Sequence, residues 1–88
     1  MNRDKPCYEL WADLADGQGL RKAAMGGGPC ESKAKEVVKG FARQLWVEHT
    51  RYSRKARFEI RRGGITLQFS DNNHGPRLRW RDAKLKVA

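Results

Sequence analysis

An α+β domain of order ββαβββ is the fold this sequence predicts, with one long helix on one face of a mostly antiparallel sheet. Three observations predict it. Several short stretches alternate polar and apolar residues with period two, one longer stretch carries apolar residues at helical spacing, and glycine-rich breaks separate them.

The first strand is read over 7–14, CYELWADL, where Tyr8, Leu10, Ala12 and Leu14 alternate with Glu9, Trp11 and Asp13. Trp11, Leu14 and Ala15 are also spaced for a helix, which leaves a second reading of 8–15 open. ADGQG follows as a hairpin-type turn, and LRKAAM, residues 20–25, is a short partner strand weakened by its alanine pair. Gly26-Gly27-Gly28-Pro29 breaks the chain, and Pro29 suits the first helical position, where its missing N–H leaves nothing unpaired.

The helix is read over 29–51. At 100° per residue Ala34, Val37, Val38, Phe41 and Leu45 fall within an arc of about 100°, the expected core stripe. Glu31 in the first turn and Arg51 near the end agree with the helix dipole. Lys35, Lys39 and Arg43 form a basic row outside that stripe. Trp46 falls between the angular positions of Lys35 and Lys39, where it could stack on a base or pack against a strand.

RYSRKA links the helix to strands at 57–61 and 65–70, joined by Gly63-Gly64, the kind of pair a two-residue hairpin turn requires. In that register Phe58, Ile60, Ile65, Leu67 and Phe69 share the core face. Arg57, Glu59, Arg61, Thr66, Gln68 and Ser70 share the other. SDNNHGP is a loop, RLRWR at 77–81 alternates again with Leu78 and Trp80 inward, and 1–6 and 82–88 are expected to fray.

With 88 residues there is room for one domain and one small core, burying roughly 60–65% of the unfolded surface. Dimerisation would help such a chain. No run approaches the ~20 apolar residues of a membrane span, and the acidic N-terminal stretch lacks the apolar core of a signal peptide. The reading is a cytoplasmic protein with no membrane contact. Cys7 and Cys30 are then expected as reduced thiols. Zinc is not expected, because Cys7, Cys30, His49 and His74 lie 23, 19 and 25 residues apart instead of in close pairs.

Charge carries the functional signal. The chain has net charge +9, but residues 1–32 hold four bases against five acids, and 33–88 hold fifteen against five. Such asymmetry points to a polyanion or an acidic protein partner. Eight of the nine bases between 51 and 81 are arginine, which grips phosphate with a planar fork and also reads guanine. The expected surface is the polar sheet face. Arg57, Arg61, Arg77, Arg79 and Arg81 lie there with Thr66 and Gln68 between them, Asn72 and Asn73 as neutral readers nearby, and Lys35, Lys39 and Arg43 as a secondary contact on the helix. Like charges across strands repel, so stability alone does not favour such a face.

Catalysis is not expected, and neither is a cofactor. No G-x-S-x-G elbow, P-loop or paired metal carboxylates occur, and Gly26–Gly28 lacks the GK[ST] of a phosphate loop. His49, His74 and the arginines could serve a small ribonuclease only if they converged. The rival expectation is a small basic module or inhibitor, of the phage or mobile-element type, docking on an acidic or nucleic-acid-binding surface of a larger protein. Trp11 would be its anchor, with Trp46 a further candidate.

Overall fold

A computed structural model describes residues 6–74 and 76–83. The elements run β1 (Cys7–Asp13), β2 (Arg21–Gly27), α1 (Glu31–Thr50), β3 (Arg57–Arg62), β4 (Ile65–Ser70) and β5 (Arg81–Asp82). The strands form one antiparallel sheet in the order β2-β1-β3-β4-β5. This is the predicted α+β fold with one helix on one sheet face. Because β1 is antiparallel to both β2 and β3, those two run parallel and α1 carries the chain over β1 between them.

Residues 8–13 are strand, which removes the helical alternative, and Tyr8, Leu10 and Ala12 are buried as the alternation requires. Asp13 Oδ1 accepts the Ala15 N–H and Asp16 Oδ1 the Gln18 N–H, so side chains shape the β1–β2 turn. β2 extends two residues beyond its expected end, to Gly27. Gly26 there makes a close approach possible. A Cβ on it would stand 2.8 Å from Val37 Cγ1 and 3.0 Å from Val38 Cγ2.

α1 departs from expectation at both ends and in its rotation. Its N-cap is Cys30, so Pro29 lies outside the helix and not at its first position, and Arg51 caps the C-terminus with φ 52°. The buried residues are Ala34, Val38, Ala42 and Trp46, a clean i, i+4 row. Val37 and Phe41, expected in the core, are 40% and 37% exposed. Two alanines on the inner row let the helix axis come close to the sheet, and Trp46 then fills the wider end. Its indole N–H donates to the Ser53 carbonyl at 2.9 Å, and Tyr52 meets its ring edge-on at 5.0 Å. Trp46 is wholly buried.

The β3–β4 turn is as predicted, with Gly63 and Gly64 at φ 58° and 81°. The register beyond it is not. Ile60 pairs with Gln68 and Arg61 with Thr66, which leaves Leu67 as an extra residue on β4. Past this bulge Phe58 opposes Ser70 and Glu59 opposes Phe69. Directly opposed residues share a face, so Phe69 leaves the core side and Ser70, buried, takes its place. The expectation that Ile65, Leu67 and Phe69 all share the core face is corrected by that one insertion. Ile65 is 51% exposed.

A single helix about 10 Å across spans two to three strands at ~4.8 Å spacing. α1 accordingly covers β2 and β1 and only touches β3. The uncovered side is closed by 77–80, which was expected as strand but is irregular, with β5 confined to Arg81–Asp82. Leu78 and Trp80 from this strap, together with Leu67, pack on the core. Pro6 is buried, Asp82 pairs in β5 and the Ala83 N–H donates to the Leu67 carbonyl, so these three expected frayed positions are held in the fold; 1–5 and 84–88 lie outside the described residues. Among the described residues no helix is long and apolar enough to cross a membrane.

Candidate nucleic-acid interface

The predicted arginine face divides into two unlike parts. On the helix-free side of the sheet, β1 brings Glu9, Trp11 and Asp13 directly against Arg61, Glu59 and Arg57 of β3. Acids near the start of the chain therefore meet arginines of its second half. Glu59 Oε1 accepts Arg61 Nε at 2.8 Å and the Thr66 hydroxyl at 2.8 Å. The Arg61 guanidinium also lies over the Trp11 ring, 4.4 Å from its centroid. Trp11 Nε1 donates to Glu9 Oε1 at 2.9 Å, and Lys22 Nζ stands 3.8 Å from the other Glu9 oxygen. Arg57 and Asp13 approach to 3.9 Å.

Glu9, Asp13 and Glu59 thus stand against Lys22, Arg57 and Arg61 on this face, a pairing that alternation within single strands does not reveal. Arg61 and Thr66 already have partners. Trp11, the proposed protein anchor, is half-buried with its N–H engaged and one ring face covered. Trp46, the further candidate, lies in the core and reaches no surface.

The neutral readers are also reassigned. Ser70 and Asn73 are both 1% exposed and hydrogen-bond each other, and Asn73 Oδ1 accepts the Arg79 N–H at 2.7 Å. Asn73 is therefore the pin that holds the strap against the sheet, and not a reader. Gln68 donates to Asp82 Oδ1 at 2.9 Å, tying β4 to β5. Asn72 is exposed with φ 48°, a turn residue.

The second part lies where α1 stops short of β4. Lys39, Gly40 and Arg43 of the helix and Arg77, Leu78 and Trp80 of the strap line a cleft of about 460 Å³. Lys39 Nζ stands 5.8 Å from the Trp80 ring centroid. One turn earlier, Lys35 lies 5.7 Å from the Tyr8 ring. Arg79 of the strap and Arg81 of β5 are exposed but do not line the cleft, and Arg81, opposite Phe69 on the sheet's edge strand, faces the helix-free side with it. Among the described residues none of Lys35, Lys39, Arg43, Arg77, Arg79 or Arg81 has an ion-pair partner. Lys39 and Arg43 of the helix row expected as a secondary contact are thus brought together with Arg77 of RLRWR, whereas Lys35 lies at Tyr8 and Arg81 round the sheet edge. Arg57 and Arg61 are not part of that group. Trp80 was assigned only to the core, although its place between two arginines was a signal available in the sequence.

Cys7 and Cys30 are free and exposed. A hydrogen bond from Ser32, with help from backbone N–H groups at the helix start, holds the Cys30 thiol below the ordinary range. Among the described residues no three His, Cys, Asp or Glu side chains gather as a metal site. His74 Nδ1 lies 3.3 Å from Arg54 Nη1, on a loop. No protein-family model, curated protein or solved structure matches this chain.

Proposed function

We propose that this protein binds nucleic acid through its backbone phosphates, and that the contact surface runs from the cleft cations Lys39, Arg43 and Arg77 along the strap to Arg79 and, round the β5 edge of the sheet, Arg81. One observation carries the reading. These cations are exposed or half-exposed and unpaired among the described residues, while those of β1–β3 are matched by acids. Unpaired like charges on a small surface repel one another, and a polyanion relieves that repulsion by displacing their counterions. Four of the five are arginines, suited to bidentate phosphate contacts. No enzymatic role enters this reading.

The test is fluorescence anisotropy of labelled oligonucleotides titrated with the protein at several salt concentrations. Five phosphate contacts give a slope of log K against log salt of about −3.5 for a single strand and about −4.5 for a duplex. No binding at low salt refutes the reading and makes an acidic protein surface the partner to seek.

A further inference from the structure

The cleft between α1 and the strap has features that phosphate binding alone does not call for. Its base is apolar and aromatic, with Leu78 and the half-buried Trp80, while the cations stand around it. Its volume of about 460 Å³ falls within the ~300–1,000 Å³ range of small-molecule sites. A surface meant only for the phosphates of a duplex has no use for a recessed indole, because paired bases stay stacked inside the helix. An unpaired base can reach it.

A third feature is Gly40, on the cleft rim. It sits mid-helix, where glycine is unfavourable by about 1 kcal/mol relative to alanine. A Cβ built on it meets nothing within 4 Å, so the fold itself does not require glycine there. Bare backbone at the mouth of a cleft is what close approach by a ligand requires.

We infer that the cleft holds one unpaired nucleotide of a single strand, with its base against Trp80 and Leu78 and its phosphate between Arg43 and Arg77. This rests on the nucleic-acid reading above and narrows it to single-stranded ligands. Lys39, now near the Trp80 ring, swings toward the next phosphate as the base enters. Every base has a π-face, so the site tolerates any sequence. A duplex meets only the outer cations.

The experiment compares three ligands of equal length and charge on the wild-type protein at fixed salt: a single-stranded oligonucleotide, its abasic counterpart and a hairpin duplex. The single strand is expected to bind about tenfold tighter than the abasic strand, the scale of one base stacked on an aromatic ring. That margin should shrink to near unity in Trp80→Leu, with circular dichroism confirming that the variant is folded. Equal affinity for the base-bearing and abasic strands in the wild type overturns the nucleotide site and leaves phosphate binding standing. Failure of all three ligands to bind overturns the nucleic-acid reading itself.

Discussion

Lys22, Arg57 and Arg61 stand beside carboxylates at 3.8, 3.9 and 2.8 Å; Lys39, Arg43 and Arg77, across the molecule from them, have none among the described residues. Both groups contribute equally to net charge, and only the second is available to a ligand. A phosphate approaching Arg61 must compete with Glu59 and meets Glu9 and Asp13 as well, so its gain is offset by repulsion. The same phosphate at Arg43 or Arg77 meets no acid of the described cleft. The difference teaches that a basic composition locates a binding surface only after pairing across strands has been subtracted.

The sharpest way to break this comparison is to remove equal charge from each region. Arg43→Ala with Arg77→Ala should weaken oligonucleotide binding about a hundredfold at low salt, near 2.7 kcal/mol. Lys22→Ala with Arg57→Ala, of identical net charge, should change it less than about threefold, since exposed pairs of this kind are worth ~0–1 kcal/mol. Similar losses from both would mean that the whole surface acts as a diffuse cation.

Asn73→Ala comes next. It removes no charge, yet it leaves the Ser70 hydroxyl and the Arg79 N–H without their buried partner, at a cost of about 2 kcal/mol. The denaturation midpoint should fall, and oligonucleotide affinity with it, because the strap loses its pin. Glu59→Ala should have a smaller effect on stability, about 1–2 kcal/mol, as half-buried Arg61 loses its acceptor. Its effect on binding should be opposite: an Arg61 freed from Glu59 raises affinity, which anisotropy would read directly. Gly40→Ala is the mildest. Thermal unfolding should show a gain of roughly 0.5–1 kcal/mol, while single-strand affinity drops a fewfold. A variant that stabilises the fold and weakens binding separates a cleft built for a ligand from one left by poor packing.

Much of the architecture was legible because it rests on local chemistry. Alternation in CYELWAD and RFEIRR, the Gly63-Gly64 turn and the periodic helix each declare themselves within a few residues. What escaped depends on one element choosing its position against another. Val37 and Phe41 outrank Ala34 and Ala42 in hydrophobicity, yet the alanines are buried while Val37 and Phe41 lie over Gly26 of β2, the sheet's outer strand, and stay partly exposed. The bulge at Leu67 inserts one residue without changing the pattern on either side, so the face of Phe69 could not be read from alternation. The candidate site was half legible. RLRWR and the Lys35–Lys39–Arg43 row were visible in the sequence. Neutralisation of Arg57 and Arg61 required knowing that β1 lies beside β3 and not only beside β2.

Apart from Leu78 and Trp80 on the core, the strap and β5 are held to the sheet by few bonds: two residue pairs to β4, the Gln68–Asp82 hydrogen bond, the Ala83 N–H to the Leu67 carbonyl at 2.9 Å, and the Asn73 pin. Amide hydrogens in such a segment exchange with solvent through local opening, at a free energy well below that of global unfolding. Exchange at Arg79 and Ala83 should therefore run far ahead of exchange at Leu10 or Ile60 in the central strands. Anything that seats in the cleft must first wait for, or stabilise, the closed strap. Its arrival would then be recorded as slowed exchange at those two amides even where it touches neither.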